Sequence, residues 1–117
     1  MGVLDSGLTE IISLIGNGLT GVQISGINIG ESDTAFSAGQ TALQTELDRQ
    51  TGLTATQNGN TMTLSNTFSN NTGTVREAGI YTDDTDDTQI TRQVVDAVNL
   101  ESNDTLEVTF ELDALNN

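Results

Sequence analysis

Residues 53–68 read Leu53-Thr54-Ala55-Thr56-Gln57-Asn58-Gly59-Asn60-Thr61-Met62-Thr63-Leu64-Ser65-Asn66-Thr67-Phe68. Leu53, Ala55 and Gln57 alternate with threonines as far as Asn58-Gly59, and Met62, Leu64 and Phe68 keep the alternation on the return. A period of two places every second side chain on one face of a strand. Asn-Gly between two such runs is a hairpin signal, because both residues accept the positive φ of a tight turn. The stretch therefore predicts an antiparallel hairpin and, with it, a β architecture.

The same chemistry extends in both directions. Towards the C-terminus a polar turn at Asn70-Asn71-Thr72-Gly73 precedes a strand over Val75–Tyr81; a further strand runs over Gln89–Val98; Leu106, Val108, Phe110 and Leu112 give the last one strict alternation. Towards the N-terminus Val22, Ile24, Ile27 and Ile29 mark a strand with an irregularity at Ser25-Gly26, where glycine permits a bulge or bend. Two segments carry helical spacing instead. Thr41–Arg49 predicts a short helix with Leu43 and Leu47 on one face, and Leu4, Leu8, Ile11, Ile12 and Ile15 predict an amphipathic helix that stops at Gly16-Asn17-Gly18. The expected organisation is a helical assembly segment over residues 1–18 and a single β-rich domain over 19–117. The fold class is mainly β: a small antiparallel β-sandwich or jelly-roll-like domain of five or six strands with two short helices.

Charge bounds the environment. Seventeen acidic residues face three basic ones, Arg49, Arg76 and Arg92, with no lysine, for a net charge of −14 over 117 residues. Self-repulsion of that size opposes compaction unless it is screened. Molar salt shortens the Debye length to roughly 3 Å, so the composition points to a protein adapted to high salt. High negative charge with few aromatics also marks disorder, but organised apolar runs and the absence of proline favour a folded chain. Three scattered arginines cannot neutralise a phosphate backbone, so nucleic acid is not an expected partner. No apolar run approaches the roughly 20 residues of a membrane span, and no basic start precedes an apolar run as in a secretory signal. The chain has neither cysteine nor histidine. That removes disulfides, thiol nucleophiles, the usual zinc sites and imidazole acid–base chemistry.

Several segments, taken in order, resemble a family of small structural proteins of tailed viruses and proviruses, of the type found with haloarchaeal hosts. They are Ile27-Asn28-Ile29-Gly30, Asp33-Thr34-Ala35, Thr41-Ala42-Leu43-Gln44-Thr45-Glu46-Leu47-Asp48-Arg49, Arg76-Glu77-Ala78-Gly79-Ile80-Tyr81, Arg92-Gln93-Val94-Val95 and Leu106-Glu107-Val108-Thr109-Phe110-Glu111-Leu112. The match spans about residues 22–113, and its weight lies in order and spacing. Gly30-Glu31-Ser32 departs from the Gly-x-Gly continuation usual after the family's first strand. The resemblance implies a virion component on the capsid surface, as a decoration or turret, or on the tail, at the baseplate or a fibre attachment. Its partners would be further copies of itself and other virion proteins, and its location the particle, assembled in the cytoplasm of a halophilic host.

The three arginines fall in or beside these segments. Glu46 stands three residues before Arg49, within reach on one helical face, and Glu77 is placed to pair with Arg92 across neighbouring strands. The competing view is of exposed ion pairs that contribute little. Leu8, Ile11, Ile12 and Ile15 are the candidate assembly residues, packing either on their own domain or against another subunit.

One constellation offers oxygen ligands, the loop Asp83-Asp84-Thr85-Asp86-Asp87, where Asp83, Asp84, Asp86 and Asp87 are candidates for calcium or magnesium. It lacks the glycine and terminal glutamate of an EF-hand, so a solvated acidic loop is the plainer reading and no cofactor is expected. No catalytic residues are predicted. Paired carboxylates for glycoside hydrolysis lack a stacking platform, since the aromatics are Phe36, Phe68, Tyr81 and Phe110, and Phe68 and Phe110 fall on core faces. The expectation is a non-enzymatic particle subunit, against a host-surface adhesion domain or a glycan- or calcium-binding β domain.

Overall fold

The computed structural model describes Leu4, residues 24–82 and residues 88–113. Within them lie seven strands: β1 (Ile24–Gly30), β2 (Glu46–Gln50), β3 (Thr56–Asn58), β4 (Thr61–Ser69), β5 (Gly73–Thr82), β6 (Gln89–Leu100) and β7 (Thr105–Asp113). They form two antiparallel sheets, one ordered β2-β1-β5-β6 and the other β3-β4-β7. The protein is mainly β.

The hairpin at the centre of the sequence joins β3 to β4, with Asn58 opposite Thr61 and a two-residue loop of Gly59-Asn60. The loop starts one residue later than Asn58-Gly59. Gly59 takes its first position at φ 61°, which suits the right-handed twist of the flanking strands. From β4 the ladder passes to β7, pairing Met62 with Leu112, Leu64 with Phe110 and Phe68 with Leu106. On the opposite face of the same ladder the hydroxyls of Ser65 and Thr109 meet at 3.0 Å. The alternation read in both segments thus separates one apolar face from one polar face.

Apolar side chains of both sheets share one core: Ile27 and Ile29 of β1, Leu64 and Phe68 of β4, Ile80 of β5 and Phe110 of β7 are among its buried members. Each such side chain contributes about 1.5–3 kcal/mol relative to exposure. β1 carries its irregularity where Ser25-Gly26 predicts it: Ile24 pairs with Thr82 and Gly26 with Tyr81, so Ser25 has no opposite number.

The helix expected over Thr41–Arg49 is absent. Residues 41–45 are irregular and Glu46–Gln50 is β2, paired antiparallel with β1 through Asn28–Arg49 and Ile29–Asp48. A helix this short is marginal alone. The open edge of β1 offers a full ladder, and the amides of Gln44 and Thr45 bond instead to the carboxylate of Glu77. Leu43 is buried and Leu47 packs against the core without helical geometry. The helix expected within residues 1–18 lies outside the described residues except for Leu4, which is buried and donates its amide to the carbonyl of Ile90 at 2.9 Å.

Candidate functional site

β5 is the strand around which the notable polar groups gather. Side chains alternate across a strand, so with Ala78 and Ile80 in the core, Glu77, Gly79 and Tyr81 face the other side of the sheet. Glu77 and Tyr81 are nonetheless fully buried there. A charged group so placed requires partners, and Glu77 has four. Its Oε1 accepts from the Gln44 amide at 2.8 Å and from Arg92 Nε at 2.9 Å. Its Oε2 accepts from the Thr45 amide at 2.8 Å and the Ser32 amide at 3.1 Å.

Arg92, on β6, is itself 0% exposed. Besides Glu77 it reaches Gln40 Oε1 at 3.2 Å and the Ser32 carbonyl at 3.5 Å. The pair therefore fastens the segment 31–45, which has no regular structure, to the face of the sheet at residues Ser32, Gln40, Gln44 and Thr45.

A second set lies beside it. Asn28 and Gln89 exchange side-chain amide hydrogen bonds, Asn28 Nδ2 to Gln89 Oε1 at 2.8 Å and Gln89 Nε2 to Asn28 Oδ1 at 3.0 Å. Asn28 also donates to Glu46 Oε1 at 2.8 Å. Glu46 receives Arg49 in a two-point contact, Nε to Oε2 at 3.0 Å and Nη2 to Oε1 at 2.8 Å. The Arg49 guanidinium lies 4.6 Å from the centre of the Tyr81 ring, and the Tyr81 hydroxyl meets that of Thr51 at 2.6 Å.

The structure thus brings Glu77 to Arg92 and Glu46 to Arg49. The second pair does not form on a helix. In a regular strand residues three apart point to opposite faces, but β2 shifts register between the Ile29–Asp48 and Gly30–Glu46 pairs, leaving Leu47 as an extra residue. That bulge turns Glu46 to the side of Arg49. Arg76, the third arginine, donates to the Glu31 carbonyl at 3.4 Å. Asp83, Asp84, Asp86 and Asp87, and the apolar Leu8, Ile11, Ile12 and Ile15, lie outside the described residues. Among the described residues no group of three acidic side chains is placed to hold a metal ion.

Sequence reasoning missed the Asn28–Gln89 pair and the role of Glu77 as acceptor for three loop amides. A signal for the first exists: Asn28 interrupts Ile27 and Ile29, so strand alternation directs it away from the core both isoleucines enter. For the second there is none, because the donors are main-chain groups more than 30 residues away.

Burial alone would raise the Glu77 carboxyl, but the hydrogen bonds from Gln44, Thr45, Arg92 and Ser32 outweigh it and hold the group below its ordinary value. A carboxylate held lower in the folded than in the unfolded chain contributes stability that is complete above the unfolded value and lost as pH falls through the folded one. The melting temperature in molar salt is therefore expected to fall as acid is added below about pH 4.5, the ordinary glutamate value. Glu77→Gln is expected to flatten that part of the profile. An unchanged slope in the variant would assign the acid sensitivity to other carboxylates.

No known protein family, curated protein or solved structure matched the chain.

Proposed function

We propose that this protein is a non-enzymatic structural subunit of a tailed virus particle from a halophilic host, a small β-sandwich that acts as a repeated module on the particle exterior. One observation carries the reading: four of the six segments in which the chain resembles that family meet around the buried carboxylate of Glu77. Gly30 opposes Glu77 across the β1–β5 ladder. The Thr41–Arg49 segment supplies the amides of Gln44 and Thr45 to Glu77, and the Arg92 segment supplies its counter-ion. The motif residues are thus consumed in holding a loop to a sheet. Their charged groups are committed to one another, an arrangement suited to a rigid module rather than to turnover.

The acidic surface supports the setting, since 17 carboxylates against three arginines stay soluble and compact where salt screens them. The test is immunogold labelling of purified particles with an antibody to this chain, together with mass spectrometry of the same preparation. Label at regular positions on the outside of capsid or tail is the expected result. Recovery of the chain from the host surface and not from particles would replace this reading with adhesion.

A further inference from the structure

We infer that the protein pairs with a second copy of itself, antiparallel, through the outer edge of β6 about Asp96. The inference rests on the reading of the chain as an oligomeric particle subunit and names the surface through which copies meet.

β6 divides into two halves. Gln89 to Arg92 are buried, and Leu4 donates to the outward carbonyl of Ile90. Gln93 to Asn99 are all exposed. The large apolar residues exposed among those described are Phe36, Val94, Val95 and Val98, so three of the four stand on this half-strand. They open to both sides of the sheet. Val94 borders a depression of about 340 Å³ with Phe36 and Ala35. Val95 borders a cleft of about 270 Å³ whose other wall is Val108 and Phe110.

Among the described residues β6 is also the edge strand of its sheet. Between the Val75–Val98 and Glu77–Val94 pairs, three residues of β6, Val95 to Ala97, oppose the single residue Arg76. Their main-chain groups are left out of regular pairing with β5. A strand exposed on two faces and along its edge is a template for another strand.

Two features select a second copy as that strand. The first is charge. Each chain carries −14, so copies repel over most of their surface, whereas Gln93–Asn99 holds one charge, Asp96. The second is self-complementarity, which a two-fold interface requires. Counting outward from Asp96, Val95 and Ala97 are equidistant, then Val94 and Val98, then Gln93 and Asn99. Antiparallel pairing about Asp96 sets valine against valine twice and amide against amide twice, and brings two Asp96 carboxylates together at the axis. Like charges opposite one another destabilise a strand pair unless salt screens them. The dimer therefore belongs to high salt.

Sedimentation velocity in molar KCl, repeated at about 0.1 M where the Debye length is roughly 10 Å, tests this with three proteins. The parent is expected to dimerise in molar salt and to dissociate at the lower ionic strength. The triple variant V94T/V95T/V98T keeps β-branched side chains at exposed positions. It is expected to retain its circular dichroism spectrum while its dimer weakens about a hundredfold, six apolar methyl groups being lost from each interface. Asp96→Asn is expected to strengthen the dimer roughly tenfold at the lower salt and to leave it unchanged in molar salt.

A dimer indifferent to both substitutions overturns the inference and leaves the oligomeric reading standing. So does a ring that responds to the valines but not to Asp96. A chain that is monomeric at every concentration in molar salt also overturns it. Absence from purified particles is a separate result, which removes the reading beneath it without bearing on the solution dimer.

Discussion

Glu77→Ala is expected to destabilise the protein by at least ~5 kcal/mol, enough to leave it largely unfolded outside concentrated salt. Two losses combine. The guanidinium of Arg92 stays fully buried without its carboxylate, and breaking one side of a buried ion pair costs about 3–5 kcal/mol. The amides of Ser32, Gln44 and Thr45 lose their acceptor at the same time, each at about 1–3 kcal/mol where water cannot replace it. Arg92→Met should cost less, about 3 kcal/mol, because the stranded carboxylate keeps its three amide donors.

The double variant should fall short of the sum of the two, since removing Arg92 also removes the uncompensated charge that Glu77→Ala creates. Chemical denaturation in constant molar KCl measures all three. If both single variants lose less than ~1 kcal/mol, the pair behaves like an exposed one, and the account of how loop 31–45 is held is wrong.

Gly79→Ala is the second large effect, expected at about 3 kcal/mol from a single methyl group. Gly79 sits in the middle of β5 opposite Asn28 on one side and Arg92 on the other. A Cβ there would overlap the Thr91 carbonyl and the Gln89 amide and come within 3.1 Å of Asn28 Oδ1. The Thr91 carbonyl is main chain in a paired strand, so no rotamer change relieves the contact. The displaced groups belong to the reciprocal Asn28–Gln89 pair, whose members are 1% and 4% exposed. Gly39→Ala is the control, because its Cβ would meet nothing within 4 Å. A thermal shift for Gly79→Ala no larger than for Gly39→Ala would mean that the amide pair gives way without penalty.

Much of the sheet structure was legible because it depends on local pattern. Leu106, Val108, Phe110 and Leu112 alternate, and β7 sends this set into the core on the same face as Leu64 and Phe68 of β4. Ser25-Gly26 marked the bulge in β1 for a local reason too, a glycine amid apolar strand residues. Thr41–Arg49 predicts a helix because Leu43 and Leu47 satisfy a helical spacing. The forces that prevent the helix, the open edge of β1 and the carboxylate of Glu77, lie elsewhere in the chain. The network divides similarly. Glu46 with Arg49, and Glu77 with Arg92, could be proposed from the scarcity of cations, whereas Asn28 and Gln89 are uncharged and 61 residues apart, so nothing local links them. The exposed half of β6 is legible as strand, but its exposure depends on which strands flank it.

The ladder between β4 and β7 also bears on how the chain folds. It joins Met62 to Leu112 and Phe68 to Leu106, across a stretch that contains the whole of β5 and β6. The β3–β4 hairpin closes over two residues and forms early, but β7 cannot dock until that intervening chain has been drawn together. Closing so wide a loop consumes entropy before any ladder contact repays it. β7 is accordingly expected to dock after the β3–β4 and β5–β6 hairpins have closed, and until it arrives the apolar faces of Leu64 and Phe68 stand open to neighbouring nascent chains.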